Sequence, residues 1–315
     1  MTERKLLTVL VPVYNEAPNI EPLHAALVPV CEALGTRGYE VELLFTDNHS
    51  EDDTFAQLER LHARDPRVRV IRFSRNFGFQ RSILTGYLNA RGAAAIQIDA
   101  DLQDPPALIL DFVTRWEAGA QVVYGVRRGR QEGWAITALR KAFYRLINVL
   151  SEVRLPLDAG DFRLVDRVVL DELARIEDAH PYLRGAIAAM GFRQEGVVYD
   201  RQARTRGDSK FDFGSLMRLA IDGILAHSIV PLRLATYTGL AVSAVTFLGL
   251  CAYVIGRVFF GQQWPAGFAT VTVLVLLSTT LNALFLGIIG EYLGRVYQQV
   301  KRRPTTITER RIGRE

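Results

Sequence analysis

Cysteine is nearly absent from this chain of 315 residues, which contains two cysteines, Cys31 and Cys251. One falls in a predicted helix and the other in an apolar run far along the chain. The sequence therefore excludes a disulfide framework and a cysteine-based zinc site. A signal peptide is not expected either, because the apolar run near the amino terminus is short and Pro12 interrupts it.

Net positive charge is confined to the end of the chain. The 38 Lys and Arg residues stand against 34 Asp and Glu, which gives a formal net charge of +4. Residues 291–315 contain seven basic and three acidic residues, so the preceding part of the chain is balanced. The sequence predicts a basic cytoplasmic tail at 291–315 and no nucleic-acid-binding body.

Charge is missing altogether from two apolar runs, residues 234–256 and 266–290. Each run is long enough to cross about 30 Å of hydrocarbon as a helix. The mean hydropathy of +0.09 is also high for a soluble enzyme whose residues are 23% charged. We predict a transmembrane hairpin over 234–290, with a buried hairpin of a soluble core as the alternative. The basic flanks favour a cytoplasmic position for both ends of the hairpin.

Two further segments, residues 134–150 and 213–233, mix basic and apolar side chains. Both are candidates for helices in the membrane interface. The alternative for each is an ordinary helix packed on the core of the preceding domain.

The first third of the chain alternates apolar strands with helices. Strands are predicted at residues 6–13, 41–46, 68–73 and 93–98, and helices at 17–34, 54–63 and 82–90. This order predicts an α/β domain over residues 1–212, Rossmann-like, with a mainly parallel sheet. Ligands bind at the carboxyl ends of strands in such sheets. Polar residues follow each of the four predicted strands, so we expect a site at this edge.

The most informative of these polar segments is Asp99-Ala100-Asp101-Leu102-Gln103-Asp104-Pro105-Pro106. Side chains alternate along an extended chain, so Asp99 and Asp101 face the same way. Two carboxylates with nearby oxygen ligands suit a hard cation such as Mg²⁺ or Mn²⁺. A bare Asp-x-Asp is more often a polar loop, so the flanking residues decide between the two interpretations.

Five other motifs accompany the acidic segment. Three follow the earlier strands and two are rich in arginine; they are Val11–Glu16, Asp47–Ser50, Arg75–Gly78, Gly125–Arg130 and Arg204–Phe211. Clustered guanidinium groups suit bidentate recognition of phosphate. A solvated charge run is the alternative for the arginines.

Together these motifs resemble family 2 glycosyltransferases, in the branch that loads sugars onto polyprenyl phosphates. The resemblance covers nearly the whole chain. It implies a GT-A nucleotide-sugar-binding domain, followed by interfacial helices and two transmembrane helices, at the cytoplasmic (inner) membrane. The implied reaction moves a hexose, with inversion, from a nucleotide diphosphate sugar to undecaprenyl or dolichyl phosphate. UDP-glucose is the favoured donor, and GDP-mannose or another UDP-sugar remains open. The cofactor is Mg²⁺ or Mn²⁺, and a homo-oligomer is also open.

The resemblance assigns roles to residues of this sequence. The metal ligands are Asp99, Asp101 and Gln103. The nucleotide sugar is bound by Pro12, Tyr14, Glu16, Asp47, Ser50, Asn76, Asp99, Arg204, Ser209 and Lys210. The acceptor phosphate is bound by Arg127, Arg128, Arg130 and Arg140, and the catalytic residues are Asp101, Asp161, Arg127 and Arg130. Asp161 either orients the acceptor or acts as a base, and we favour orientation, because a phosphate oxygen is already ionised near neutral pH.

The sequence departs from the family pattern in two places and leaves two other functions to weigh. Phe79-Gln80-Arg81 stands where Gly-Lys-Glu/Gln is frequent, so these three residues are assigned no role. Asp47-Asn48-His49-Ser50 stands where Asp-Asp-Gly-Ser is common, which leaves the choice of base open. A processive polysaccharide synthase is disfavoured, because Phe112 replaces the glutamine of its Gln-x-x-Arg-Trp motif. An inactive membrane scaffold is disfavoured by the intact acidic, arginine and lysine residues of the motifs.

Overall fold

A computed structural model describes most of the amino-terminal two thirds of the chain and part of the remainder. The described residues are 5–128, 159–176, 178, 181–201, 232, 235–242, 244–245, 248–249, 255, 259 and 267–313. The chain divides into two compact units. The first comprises residues 1–149, 153–212 and 302–315, and the second comprises 150–152 and 213–301.

The first unit is built on a mixed sheet with helices on both faces. Within the described residues the strands are β1 (Lys5–Val13), β2 (Tyr39–Asp47), β3 (Val68–Phe73), β4 (Ala94–Gln97), β5 (Val122–Arg127), β6 (Ala159–Asp166), β7 (Gln194–Tyr199) and β8 (Thr308–Ile312). The helices are α1 (Ala17–Thr36), α2 (Thr54–Arg64), α3 (Phe79–Asn89), α4 (Leu108–Glu117), α5 (Arg167–Ala174) and α6 (Leu183–Ala189).

The order of strands in the sheet is β7-β5-β6-β4-β1-β2-β3-β8. The pairs β1–β2, β1–β4, β2–β3 and β5–β7 are parallel. The pairs β4–β6, β5–β6 and β3–β8 are antiparallel. The predicted mixed α/β fold with a mostly parallel sheet is confirmed, and the antiparallel strands β6 and β8 are additions that the sequence analysis did not predict.

The core lies on the two faces of this sheet, because its central strands bury apolar side chains on both. Alternation sends Val9 and Val11 to the face covered by α1, α2 and α4, and Leu10 to the face covered by α3. Gly86 of α3 lies so close to Leu10 that a Cβ atom there would fall 2.1 Å from Leu10 Cδ1. This close approach seats α3 beside the carboxyl ends of the strands.

The last described residues of the chain return to the first unit. Thr308–Ile312 forms β8 within the segment predicted as a basic tail, and it pairs antiparallel with β3. Thr306 Oγ1 lies 2.9 Å from Thr85 Oγ1, and the Ser74 amide donates to the Ile307 carbonyl at 2.9 Å. Thr308–Ile312 of the predicted tail is thus an integral strand of the sheet.

In the second unit the longest described element is helix α7, Phe268–Val300, which has 33 residues. It begins near the predicted start of the second apolar run and continues ten residues beyond its predicted end at residue 290. Among the described residues, no helix combines the length and the hydropathy that a membrane span requires. The transmembrane hairpin stays a prediction. The predicted interfacial segments at 134–150 and 213–233 lie outside the described residues except for residue 232.

A buried carboxylate fastens the amino ends of the central strands. Glu42 of β2 accepts from Thr8 Oγ1 at 2.6 Å, from Arg69 Nη1 at 2.8 Å, and from the Arg91 amide at 2.9 Å. Burial alone would raise the pKa of Glu42, but these hydrogen bonds outweigh it and hold the pKa below its ordinary value. The charge therefore stabilises the fold.

We expect Glu42→Gln to lower the free energy of unfolding at pH 7 by about 3 kcal/mol, because it leaves Arg69 buried without its counter-charge. The folded-state pKa is depressed, so the contribution is present above the unfolded pKa of about 4.3 and is lost as pH falls through the folded pKa. Urea unfolding across this range measures the difference. Glu21→Gln, which breaks the exposed pair with Arg64, should cost less than about 1 kcal/mol. Equal losses would contradict this assignment.

Candidate active site

A cavity of about 370 Å³ lies at the carboxyl ends of β1 and β4, between the turns that follow these strands. Six of the predicted site residues line it, namely Pro12, Tyr14, Glu16, Asn76, Asp99 and Asp101. A second cavity of about 360 Å³ lies at the opposite, amino ends of β1 and β2, and its described lining includes no predicted site residue. The predicted sheet edge is therefore where these side chains meet.

The turns after β1 and β2 hold each other in place. The Asn15 amide donates to Ser50 Oγ at 2.9 Å, and the Glu51 amide donates to Asn15 Oδ1 at 2.8 Å. Asn15 has a φ of 54° and His49 a φ of 64°, so both turns use the left-handed region in which asparagine is tolerated. Ser50 is buried and serves this clamp, behind the cavity.

Asp47 is fully buried at the end of β2. Its Oδ1 accepts from the Ser50 amide at 2.9 Å. Within the described part of the chain, its Oδ2 atom has no hydrogen-bond partner, although Arg72 Nη1 lies 3.6 Å away. This buried acceptor immediately precedes Asn48, which lines the cavity.

Asn48 is a site residue to which the sequence analysis gave no role. Its Nδ2 donates to Asn76 Oδ1 at 2.9 Å, and its Oδ1 accepts from the Phe77 amide at 2.8 Å. Asn76 Oδ1 also accepts from the Gly78 amide, where a φ of 93° starts α3. An amide at position 48 supplies both a donor and an acceptor, which an aspartate could not do.

The acidic segment after β4 concentrates negative charge beside the cavity. Asp99 Oδ1 accepts from Gln97 Nε2 at 2.8 Å, and Asp101 Oδ1 accepts from the Gln103 amide at 3.1 Å. Burial raises the pKa of Asp99 to about 7, with further contributions from the carboxylates of Asp161, Asp104 and Asp101. A bound cation would offset both the cost of burying the Asp99 charge and the repulsion from the neighbouring carboxylates.

Among the described residues, no three acidic, histidine or cysteine side chains form a preformed metal cage. Mg²⁺ typically uses one or two protein carboxylates and takes its other ligands from phosphates and water. Asp99 and Asp101, on one cavity wall, fit that donor set. The structure brings Gln103 to this loop through its backbone, and its side chain is not among the described residues lining the cavity.

Asp161 in β6 is nearly buried and forms a bidentate ion pair with Arg184 of α6, at 2.8 Å from Nε and 2.7 Å from Nη2. Burial would raise the pKa of Asp161, but the Arg184 guanidinium lowers it below the ordinary value. Gln80 of α3 accepts from the Leu183 amide at 3.3 Å, which links α3 to the start of α6, next to the Asp161–Arg184 ion pair. An ion-paired carboxylate with a depressed pKa is a weak base.

Asp104 is fully buried and contacts three side chains that come from β5, from β7 and from the segment after β7. It accepts from the Tyr199 hydroxyl, and its oxygens lie 3.7 Å from Arg127 Nη2 and 3.5 Å from Arg201 Nε. Arg127 is thereby held at the acidic cluster. Arg128, by contrast, is largely exposed and pairs with Asp200 at 3.3 Å.

Sequence reasoning missed Arg184, Tyr199 and Arg201, because they lie in no motif; helix α6 brings Arg184 to the site, and Tyr199 and Arg201 come from the end of β7 and the segment after it. The remaining predicted site residues lie outside the described residues; they are Arg130, Arg140, Arg204, Ser209 and Lys210.

We expect Asp99→Asn to raise the midpoint of thermal unfolding by a few degrees at pH 8 in the presence of a chelator. The folded-state pKa of about 7 lies above the unfolded value of about 3.9, so ionisation of Asp99 lowers stability as pH rises between them. The gain should vanish near pH 4, where the carboxyl is neutral. Asp111→Asn, on the exposed face of α4, makes the same charge change as a control. Destabilisation by Asp99→Asn at pH 8 would refute the account.

Comparison with known proteins extends these observations. Residues 8–174 match the sequence family described as Glycosyl transferase family 2. An uncharacterized glycosyltransferase of Bacillus subtilis, YkcC, is 38% identical over 98% of this chain and 94% of its own length. A prophage bactoprenol glucosyl transferase homolog of Escherichia coli is 34% identical, over 96% of this chain and 98% of its own length. The bactoprenol glucosyl transferase of Shigella phage SfX is 33% identical, over 97% of this chain and 99% of its own length.

The match to the family spans β1 through α5, which includes every strand end that contributes to the cavity. The chain therefore belongs to glycosyl transferase family 2 and is a glycosyltransferase.

Proposed function

We propose that this glycosyltransferase moves a hexose, with inversion, from a nucleotide diphosphate sugar to a polyprenyl phosphate. UDP-glucose is the preferred candidate donor, ahead of GDP-mannose and other UDP-sugars. The observation that carries the proposal is the cavity in which the carboxylates of Asp99 and Asp101 meet the turns after β1 and β2. Relatives named as bactoprenol glucosyl transferases, which match nearly the whole chain, support a lipid-linked phosphate as acceptor.

The donor occupies the cavity in this proposal. Pro12, Tyr14 and Glu16 flank the nucleoside, and the Asp47 carboxylate accepts from a ring N–H of the base. The Asn48–Asn76 hydrogen bond fixes the opposite wall, where α3 begins. Asp99 and Asp101 face the diphosphate.

A Mg²⁺ or Mn²⁺ ion held by Asp99 and Asp101, with Gln103 beside them, would neutralise the charge that develops on the departing diphosphate. The protein contributes a cluster of carboxylates at this site, and burial together with their charge raises the pKa of Asp99. Three residues outside the described range, Arg204, Ser209 and Lys210, would close over the same phosphates as a lid.

The acceptor phosphate is bound by arginines and attacks the anomeric carbon directly. Arg127 is held at the acidic cluster by Asp104, and Arg128, Arg130 and Arg140 complete the proposed set. The attacking oxygen is already ionised at neutral pH, since the second pKa of a phosphate monoester is near 6. The Asp161–Arg184 pair therefore has the task of alignment, and a single displacement inverts the configuration.

Because the proposed acceptor is a membrane lipid, the proposed reaction takes place at a membrane surface. We place the enzyme at the inner membrane with the catalytic unit and the C-terminal segment on the cytoplasmic side. The uncharged runs at 234–256 and 266–290 and their basic flanks support this orientation.

The proposed reaction is tested by offering membranes that contain the protein a panel of labelled nucleotide sugars with polyprenyl phosphate. Label should enter an organic-extractable lipid with one donor, and only with a divalent cation. Asp101→Asn should lower this transfer about 100-fold or more, because it removes a ligand of the proposed cation that neutralises the departing diphosphate. Asp111→Asn serves as the matched control and should retain activity. Failure of the folded wild-type protein to label lipid with any donor would refute the proposal.

The role of Asp161 has a separate test. We expect Asp161→Asn to lose less activity than Asp101→Asn, because the nucleophile needs alignment rather than deprotonation. Its pH profile should keep the shape of the wild-type profile. The two variants are compared by initial rates of lipid labelling, with thermal unfolding as the check on folding. A loss at Asp161 as large as that at Asp101 would show that this carboxylate does more than position the acceptor.

A further inference from the structure

Strand β8 covers one edge of the sheet, and the proposed reaction assigns it no role. Its pairing with β3 changes register between Arg72 and Phe73. Two successive side chains of β8 make different contacts at this point. Arg310 forms an ion pair with Glu59 of α2, with 2.7 Å between Nη1 and Oε1, whereas Glu309 contacts β3 and the turn after β2.

Glu309 reaches two cationic or donor side chains beside the site. Its Oε2 lies 3.2 Å from Arg72 Nε and 3.3 Å from His49 Nδ1. The same His49 nitrogen lies 3.0 Å from the Phe73 carbonyl oxygen. Glu309 thus joins the last described strand of the chain to the turn that contains Asp47.

Arg72 connects Glu309 to that turn. Its Nη2 donates to the Ser50 carbonyl at 3.3 Å, and its guanidinium carbon lies 4.4 Å from the centre of the Phe55 ring. Its Nη1 lies 3.6 Å from Asp47 Oδ2, which is near enough to balance the charge and too far for a hydrogen bond. In the described part of the chain, this Asp47 oxygen is buried without a hydrogen-bond partner.

The spacing leaves one buried oxygen of Asp47, next to the cavity-lining Asn48, without a hydrogen-bond donor among the described residues. If the Arg72 guanidinium moved about 0.6 Å closer, it would donate to that oxygen and occupy it. Glu309 opposes this movement because it binds the same guanidinium from the other side. A carboxylate on β8 therefore balances the pull of Asp47 on Arg72.

We propose that Glu309 is a positioning residue for the donor nucleotide: it holds Arg72 back from Asp47, so that an Asp47 oxygen accepts from a ring N–H of the base. This inference rests on the proposed function, in which Asp47 contacts the base. It assigns the C-terminal strand a part in nucleotide affinity, although that strand lies outside the residues that match the family.

The test compares full-length wild type, Glu309→Gln and Arg310→Gln by calorimetric titration with UDP and with GDP, in the presence of Mg²⁺. For whichever nucleotide the wild type binds, Glu309→Gln should raise the Kd about tenfold, the effect expected for losing one hydrogen bond to a charged group. Arg310→Gln is the matched control, since it breaks an exposed pair on the same strand, and should change the Kd less than about twofold.

Magnesium pyrophosphate, which has no base, separates positioning from general damage to the site. Its affinity should be the same in Glu309→Gln and wild type. Glu309→Asp keeps the charge and should recover part of the lost nucleotide affinity. These two measurements also guard against a Glu309→Gln protein that folds poorly, because a misfolded site would lose pyrophosphate as well.

The outcomes are distinct. Equal nucleotide affinity in wild type and Glu309→Gln, or an equal loss of nucleotide and pyrophosphate, overturns the inference and leaves the proposed function intact. A wild-type protein that binds neither nucleotide overturns the proposed function, and this inference with it.

Discussion

Repulsion among carboxylates at one edge of the sheet is the constraint around which this site is organised. Asp99, Asp101, Asp104 and Asp161 all act on the same small region, and the pKa of Asp99 is raised by burial and then by the charges of the other three. Two of the four are paired with basic side chains of the protein, Asp161 with Arg184 and Asp104 with Arg127 and Arg201. In the proposed function the other two would hold a cation brought with the substrate. This difference in pairing explains why carboxylates of the same acidic segment, such as Asp101 and Asp104, have different proposed roles.

Ionisation of Asp99 makes the ligand-free protein less stable, so a ligand that neutralises this charge would stabilise the fold. A half-buried aspartate with a pKa near neutrality costs stability when it ionises, and the divalent ion of the proposed function would offset that cost. Interactions at the other end of the central strands offset this loss of stability. The buried Glu42 cluster at their amino ends, far from the cavity, is satisfied by hydrogen bonds from three different segments.

Local features of the sequence predicted the parallel half of the sheet and the residues at its carboxyl edge. The apolar runs at β1 to β4 alternate with helical segments along the chain, and the acidic segment follows β4 directly. The contacts made by the later elements of the chain were not predictable in this way. Arg184 reaches Asp161 because Leu183 and Ile187 of α6 share a core cluster with Val165 of β6, and Tyr199 reaches Asp104 across 95 residues of chain. Strand β8 escaped prediction because its charged residues, Glu309, Arg310 and Arg311, are typical of an exposed tail. Such residues are also common on edge strands, where they discourage pairing with other chains.

The position of β8 in the chain has a consequence for biosynthesis. Its partner β3 leaves the ribosome more than two hundred residues earlier, with an apolar edge that includes Val70, Ile71 and Phe73. At typical rates of translation this edge stays uncovered for roughly ten seconds or longer. During that time an unpaired apolar strand can join the wrong neighbour. The sheet is therefore completed only after translation of nearly the whole chain, and β3 is open to wrong pairing until then.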